Sequence, residues 1–400
     1  MIDLTAGPAR RRMPWLMALL LAALLRPGAA RAQSAPAIPQ QIDAAVAAYQ
    51  ARSGVPGVAV AVTQGDRVIH LAGYGHDSQG RPLTPQTPLP IASLSKSFTA
   101  FAVMQLAERG EIELDAPVRA YLPEFQLADP RGAAITIRQL LSHRSGMADQ
   151  TFAEKRLAPP DSLAAAVASL RTAPLLSDPG AEYHYHNPNY WVAARLVEVV
   201  SGMPFNAYLT ERIFAPLDMA GTRSVASLRA VPELAEGYVR LYGRFVARAE
   251  PAWFLDGASG IVTSAADLAP WLLLNANAGR APDGTQLLSP QGVAALHAGL
   301  GWHQDQADDG RAQSQHSGWL FTFTAHQLLL PGEGYGVAVM TNTGLSLSGA
   351  DSSIILAAIS AILRGEAPPA PFPAGYVIDG GLALLTIGTL WGGLRALRRQ

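Results

Sequence analysis

Hydrophobic and polar positions along this 400-residue chain fall into blocks with different periods. Residues 38–53 predict a helix. Residues 57–63 and 67–73 then form two short β-rich runs around Gly65-Asp66, a hairpin signal. From Ser93 to about Arg248 the chain is dense in alanine and leucine, so this stretch is expected to be mainly helical. Strand character returns at His316–Leu330 and Gly336–Thr341, joined by the turn Pro331-Gly332-Glu333-Gly334. Residues 353–364 are apolar and predict a closing helix. Strands first, helices in the middle and strands last predict one sheet completed by both chain ends, with a helical insertion between them. No internal repeat is visible.

The two ends follow a different pattern. Arg10, Arg11 and Arg12 precede an uncharged apolar run from Pro14 to Leu25, and Ala30-Arg31-Ala32 offers small residues at a cleavage site. Residues 1–32 therefore read as a secretory signal peptide, with an apolar run too short to span a bilayer. The body, 33–365, is followed by a Pro-rich linker at 366–375 (EAPPAPFPAG), expected to be extended and semi-rigid. Residues 376–394 are apolar apart from Asp379, and Arg395, Arg398 and Arg399 follow. As a helix these 19 residues would rise about 28 Å, close to a bilayer core. They are expected to form a C-terminal transmembrane helix, with 395–400 as a basic cytoplasmic tail.

Composition narrows the function. The chain has 30 Lys+Arg and 31 Asp+Glu, a formal net charge of −1, without the basic excess of a nucleic-acid binder. That balance is an average over unlike parts. Setting aside the eight basic and two acidic residues of 1–32 and 376–400 leaves 22 against 29, so the body carries −7. With no cysteine, a thiol nucleophile, a disulfide scaffold and cysteine-ligated zinc are excluded. Lysine occurs only at Lys96 and Lys155.

Ser93-Leu94-Ser95-Lys96 places a hydroxyl and an amine one helical turn apart, at the start of a helix expected over 94–109 with Gly110 as its stop. A serine hydroxyl needs a neighbouring base to act as a nucleophile, and a lysine is such a base only when burial or a nearby cation lowers its pKa. The pattern is weak alone. It is followed by Tyr185-His186-Asn187 ahead of a helical run at 191–200, and then by His316-Ser317-Gly318 at the start of a strand. Around these lie Thr84–Phe98 (TPQTPLPIASLSKSF), Ile135–Met147 (ITIRQLLSHRSGM), Gly257–Leu268 (GASGIVTSAADL), Leu300-Gly301-Trp302 and Met340-Thr341-Asn342. In these residues, and in their order from about 38 to 365, the chain resembles the serine β-lactamase-related family. That family includes class C β-lactamases, D-alanyl-D-alanine carboxypeptidases and esterases.

The resemblance implies a β-lactamase/transpeptidase-like α/β (α+β) fold, an antiparallel sheet flanked by helices with an inserted, mostly helical subdomain. It also implies an acyl-enzyme on Ser93, with Lys96 as base and Tyr185 as proton shuttle. Asn187, His316, Ser317 and Gly318 would bind and orient substrate, and the backbone N–H groups of Ser93 and Trp319 would form the oxyanion hole. No metal or organic cofactor is implied, and the partner is a small-molecule or peptide substrate. Two departures matter. His316 stands where the β-lactamases carry lysine, and Trp319-Leu320-Phe321-Thr322 replaces smaller residues. Both favour a D-amino-acid peptidase or an esterase over a class C type β-lactamase, while intact Ser93, Lys96, Tyr185 and Asn187 speak against the other alternative, a non-catalytic envelope-binding protein that retains the fold.

Other polar residues have simpler readings. His184 and His186 share one side of an extended segment, but no further ligand pattern completes a metal site. His143 is read as a structural hydrogen-bonding residue, Ser264 as a helix cap, and Lys155 as a solvated surface residue.

Overall fold

In the computed structural model, residues 36–306, 310–344, 352–369 and 374–397 are described. The expected signal peptide lies outside the described residues, as do 370–373 of the expected linker and 398–400 of the expected tail. Helix α1 (Ile38–Ser53) leads into the hairpin β1 (Gly57–Gln64) and β2 (Arg67–Gly75), turning at Gly65 with φ +59°. The short strand β3 (Leu89–Pro90) precedes α2 (Ser95–Glu108), which ends at Gly110 in a left-handed conformation (φ +73°). The insertion contains α3 (Ile137–Leu141), α4 (Leu163–Ser169), α5 (Pro188–Ser201) and α6 (Phe205–Leu209).

Part of the stretch expected to be helical is not helical. It contains the short strand β4 (Arg223–Ser224) and a hairpin, β5 (Gly237–Leu241) with β6 (Arg244–Arg248). The hairpin turns at Tyr242-Gly243, both with positive φ, and its alternating pattern is local enough to be hidden by the surrounding alanine and leucine. Next come β7 (Ile261–Thr263) and α7 (Ala265–Ala276). The Ser264 side chain caps α7 by accepting from Asp267 N–H at 3.1 Å, as expected. Then follow α8 (Pro290–His297) and four strands, β8 (His303–Gln306), β9 (Ala312–Trp319), β10 (Thr324–Leu330) and β11 (Tyr335–Thr341), before α9 (Ser352–Leu363). The single strand expected over 316–330 is thus two, reversing at 320–323.

The main sheet has the order β2-β1-β11-β10-β9-β8, with every neighbouring pair antiparallel. Both chain ends complete it, because β1 lies against β11. The alternation of β1 explains its two covers. Val58, Val60 and Val62 pack with Ile42, Val46, Ile355 and Ile359 of α1 and α9, while Ala59 and Ala61 face the larger core on the other side. Each valine buried this way contributes about 2 kcal/mol. The small alanines leave room for α7 on their face, where Trp271 stacks on Phe98 of α2 at 3.8 Å between ring centres. Buried Gln327 of β10 ties the layers together. It accepts from Trp271 Nε1 at 3.2 Å and donates to Ser97 Oγ at 3.1 Å, fixing α2 against the sheet.

The C-terminal apolar segment is a helix, α10 (Ala374–Leu397). Nevertheless, among the described residues no helix is long and apolar enough to cross a membrane. The expected transmembrane anchor at 376–394, and the membrane contact it implied, are therefore not supported. Five glycines, Thr386, Thr389 and Asp379 dilute the hydropathy of the segment.

Candidate active site

Ser93 sits in the 3-10 turn Ala92–Leu94 that opens α2. Ala92, just before it, is held at φ +50°, a strained conformation for a residue with a side chain. Ser95 locks this turn by donating to Ala92 O at 2.6 Å and accepting from Ile261 N–H of β7 at 3.0 Å. Strand β9 supplies the facing edge. Its pairing with β8 reaches only Gln315, so the outer edge of 316–319 is left to the nucleophile turn. A Cβ at Gly318 would lie 2.3 Å from Ile91 O and 2.9 Å from Ser93 N, so only glycine permits this approach.

Lys96 follows one turn into α2 and is completely buried. Its Nζ lies 3.2 Å from Ser93 Oγ, 2.9 Å from Asn187 Oδ1 and 2.9 Å from Ala258 O. Burial holds its pKa well below the ordinary lysine value, outweighing the nearby carboxylates of Glu154 and Asp149. A neutral amine has two hydrogens and one lone pair. Asn187 Oδ1 and Ala258 O accept the two hydrogens, which leaves the lone pair for the Ser93 hydroxyl. Asn187 stands just ahead of Pro188, the first residue of α5, so the helix start sets its position.

Tyr185 completes the cluster. Lys96 Nζ lies over its ring, 4.9 Å from the centre, and His143 packs on it at 4.4 Å. Burial of the phenol end pushes its pKa above the ordinary tyrosine value, although the hydrogen bond with Ser93 and 38% exposure of the whole residue act against that. The phenol is therefore protonated at neutral pH and able to donate. His143 is structural, as read from the sequence. Its Nδ1 accepts from His186 N–H at 3.2 Å and faces Asn189 Nδ2 at 3.1 Å, bracing the segment that carries Tyr185.

His316 is buried and neutral. Desolvation lowers its pKa to about 3, with His303 and Lys96 adding to the shift. Nδ1 donates to Ser317 O at 2.7 Å, so Nε2 is left as an acceptor. The site therefore has a hydrogen-bonding group, not a cation, at this position. Ser93, Tyr185, Asn187, His316, Ser317 and Trp319 all line one cleft of about 350 Å³. Trp319 forms part of the cleft wall and remains 51% exposed. A second cleft of about 350 Å³ adjoins the first across His303 and His316, with the unpartnered Nε2 of His143 and Nε1 of Trp302 in its lining residues.

Some residues escaped the sequence reading. Lys155 is not simply solvated, since it lines the cleft with its ammonium 5.0 Å from the Trp253 ring centre. Glu154 lines the cleft too and accepts from Asn187 Nδ2 at 2.9 Å. No local spacing announces either residue. Lys155 could have been noticed as the second of only two lysines. Among the described residues, Asp149, Glu154 and His186 are the group that could hold a metal ion, with ligand atoms within 4.8 Å. His186 Nδ1 is already 2.6 Å from Asp149 Oδ1, and His184 does not belong to the group.

A model of the family named Beta-lactamase matches residues 42–360. Penicillin-binding protein 4 of Amycolatopsis lactamdurans is 30% identical over 320 residues, covering 74% of this chain and 82% of that protein. Protein flp of Staphylococcus aureus (strain COL) is 27% identical over 316 residues, covering 76% of this chain. The match spans 63% of Protein flp, under two thirds of its length. Among solved structures, the octameric penicillin-binding protein homologue from Pyrococcus abyssi superposes with a TM-score of 0.72 at 25% identity, covering 84% of this chain and 79% of that one.

Proposed function

Because the chain belongs to the β-lactamase family of serine hydrolases, we propose that it cleaves ester or peptide-type amide bonds through an acyl-enzyme on Ser93, as an esterase or a D-amino-acid peptidase. The observation that carries this reading is the buried Lys96 amine 3.2 Å from Ser93 Oγ, with both other hydrogen-bond directions satisfied. Lys96 takes the Ser93 proton as Oγ attacks the substrate carbonyl. The Ser93 and Trp319 N–H groups receive the developing oxyanion. Protonated Tyr185 gives its proton to the leaving group as the scissile bond breaks and is reprotonated from Lys96. Water then attacks the acyl-enzyme, losing its proton to the same Tyr185–Lys96 pair, and Ser93 is restored.

Neutral His316 supports the choice of substrate. A β-lactam or a C-terminal peptide carboxylate is best held by a fixed cation, and His316 offers only an uncharged acceptor. This ranks ester and carboxylate-free amide substrates first. Labelling wild type and Ser93→Ala with a fluorophosphonate and with a fluorescent penicillin tests the proposal. Ser93-dependent fluorophosphonate labelling with little penicillin labelling is the expected result. No Ser93-dependent adduct with either probe would refute the enzyme reading in favour of a non-catalytic binding protein. Export follows from residues 1–32 as part of the same proposal.

A further inference from the structure

We propose that the cleft selects substrates whose acyl group carries a positively charged amine, held by Glu154 against an aromatic wall. This rests on the acyl-enzyme reading above and adds the substrate class. Glu154 is half-buried and belongs to the short turn Glu154–Arg156 at the lip of the cleft. The carboxylate is placed by the catalytic cluster itself. Lys96 Nζ donates to Asn187 Oδ1 and Asn187 Nδ2 donates to Glu154 Oε1, each at 2.9 Å. Glu154 is thus two hydrogen bonds beyond the amine that touches Ser93. A carboxylate offers about four lone-pair sites, so the bond from Asn187 leaves capacity for a substrate ammonium. In an α-amino acyl group that ammonium lies only two bonds from the carbonyl under attack.

The aromatic lining of the cleft suits a cation as well. Trp191, Trp253 and Phe254 line the cleft, and aromatic faces attract ammonium groups. Lys155 already demonstrates the contact, with its Nζ over the Trp253 ring. This lysine is exposed, so it can swing off Trp253 when a substrate amine takes its place. The other charges near the cleft do not oppose the reading. Burial lowers the pKa of both Lys96 and His316, which weakens their positive charge, and Glu250 is occupied by the N–H groups of Phe321 and Thr322 and by the Thr322 hydroxyl. Asp149 is hydrogen-bonded to Glu154, so the two carboxyl groups share a proton and form one acidic pair beside the cleft.

The test compares kcat/KM for phenylalanine methyl ester and its N-acetyl derivative, in both enantiomers, by methanol release at a pH of about 6.5, where an α-amine is protonated. Wild type should prefer the free amine by on the order of tenfold, as expected for one charge-assisted contact. Glu154→Gln should abolish most of that ratio, and Lys155→Met should raise it by removing the competing ammonium. Any disturbance of Asn187 in Glu154→Gln scales both esters alike and leaves the ratio as the readout. A wild-type ratio of one or less, or a ratio unmoved in Glu154→Gln, overturns the inference while leaving the hydrolase intact. Absence of Ser93-dependent turnover of both esters removes both readings.

Discussion

Gly318→Ala is the sharpest perturbation of the site. The new Cβ would stand 2.3 Å from Ile91 O, where ordinary contact begins near 3.4 Å, a shortfall of about 1.1 Å. Its other near neighbours are Ser93 N at 2.9 Å and Ala92 Cβ at 3.0 Å, so no flexible side chain can give way. The edge of β9 and the nucleophile turn must separate by about 1 Å. That distance would take the proposed oxyanion donors, the N–H groups of Ser93 and Trp319, out of the roughly 2.7–3.1 Å range in which an oxyanion is stabilised, and losing one such donor costs about 10²–10³-fold in rate. Overpacking of this kind costs about 1–3 kcal/mol of stability, which a domain of this size tolerates while remaining folded. The assay is kcat/KM on a p-nitrophenyl ester alongside a melting curve. Gly332→Ala serves as control, because a Cβ there meets nothing within 4 Å. A folded Gly318→Ala enzyme within threefold of wild type would refute the placement of the oxyanion hole between β9 and the turn.

Two further outcomes follow from the same reasoning. If neutral Lys96 is the base, kcat/KM rises with pH through its depressed pKa and is already level well below the ordinary lysine value of 10.5; a profile still climbing toward 10.5 contradicts the assignment, and Lys96→Met should remove the limb together with nearly all activity. For export, the mature protein recovered from expressing cells should begin near Gln33 on N-terminal sequencing, and an intact Met1 in the secreted fraction would contradict cleavage.

Much of the candidate site was marked by the family resemblance, because the motifs that carry it lie in short segments. Ser93 and Lys96 are one turn apart at one helix start, Tyr185 and Asn187 both lie just ahead of another, and His316-Ser317-Gly318 is contiguous. The β1–β2 hairpin was legible because Gly65-Asp66 interrupts two β-rich runs, and α1 and α9 came close to their expected limits. What escaped depends on contacts between distant segments. Glu154 reaches the cluster through Asn187, 33 residues away, and Lys155 meets Trp253 across 98 residues. Strand β8, His-Gln-Asp-Gln, is exposed along its whole length and carries no apolar alternation to mark it. The neutrality of His316 comes from burial beside His303, which residue type alone does not disclose. The C-terminal helix was foreseen as a helix, but its glycines set its hydropathy below what a bilayer requires.

The placement of β11 between β1 and β10 has a consequence for timing. A chain emerging from its amino end exposes Ser93 and Lys96 long before β9 exists to face them, and β1 has no partner on one edge until residue 341 is available. The candidate active site is therefore incomplete during synthesis. Its activity reports that the last strands have been made and have inserted, and pairing across nearly 280 residues makes this closing step the slow one. A site assembled so late is incomplete for as long as the chain is unfolded.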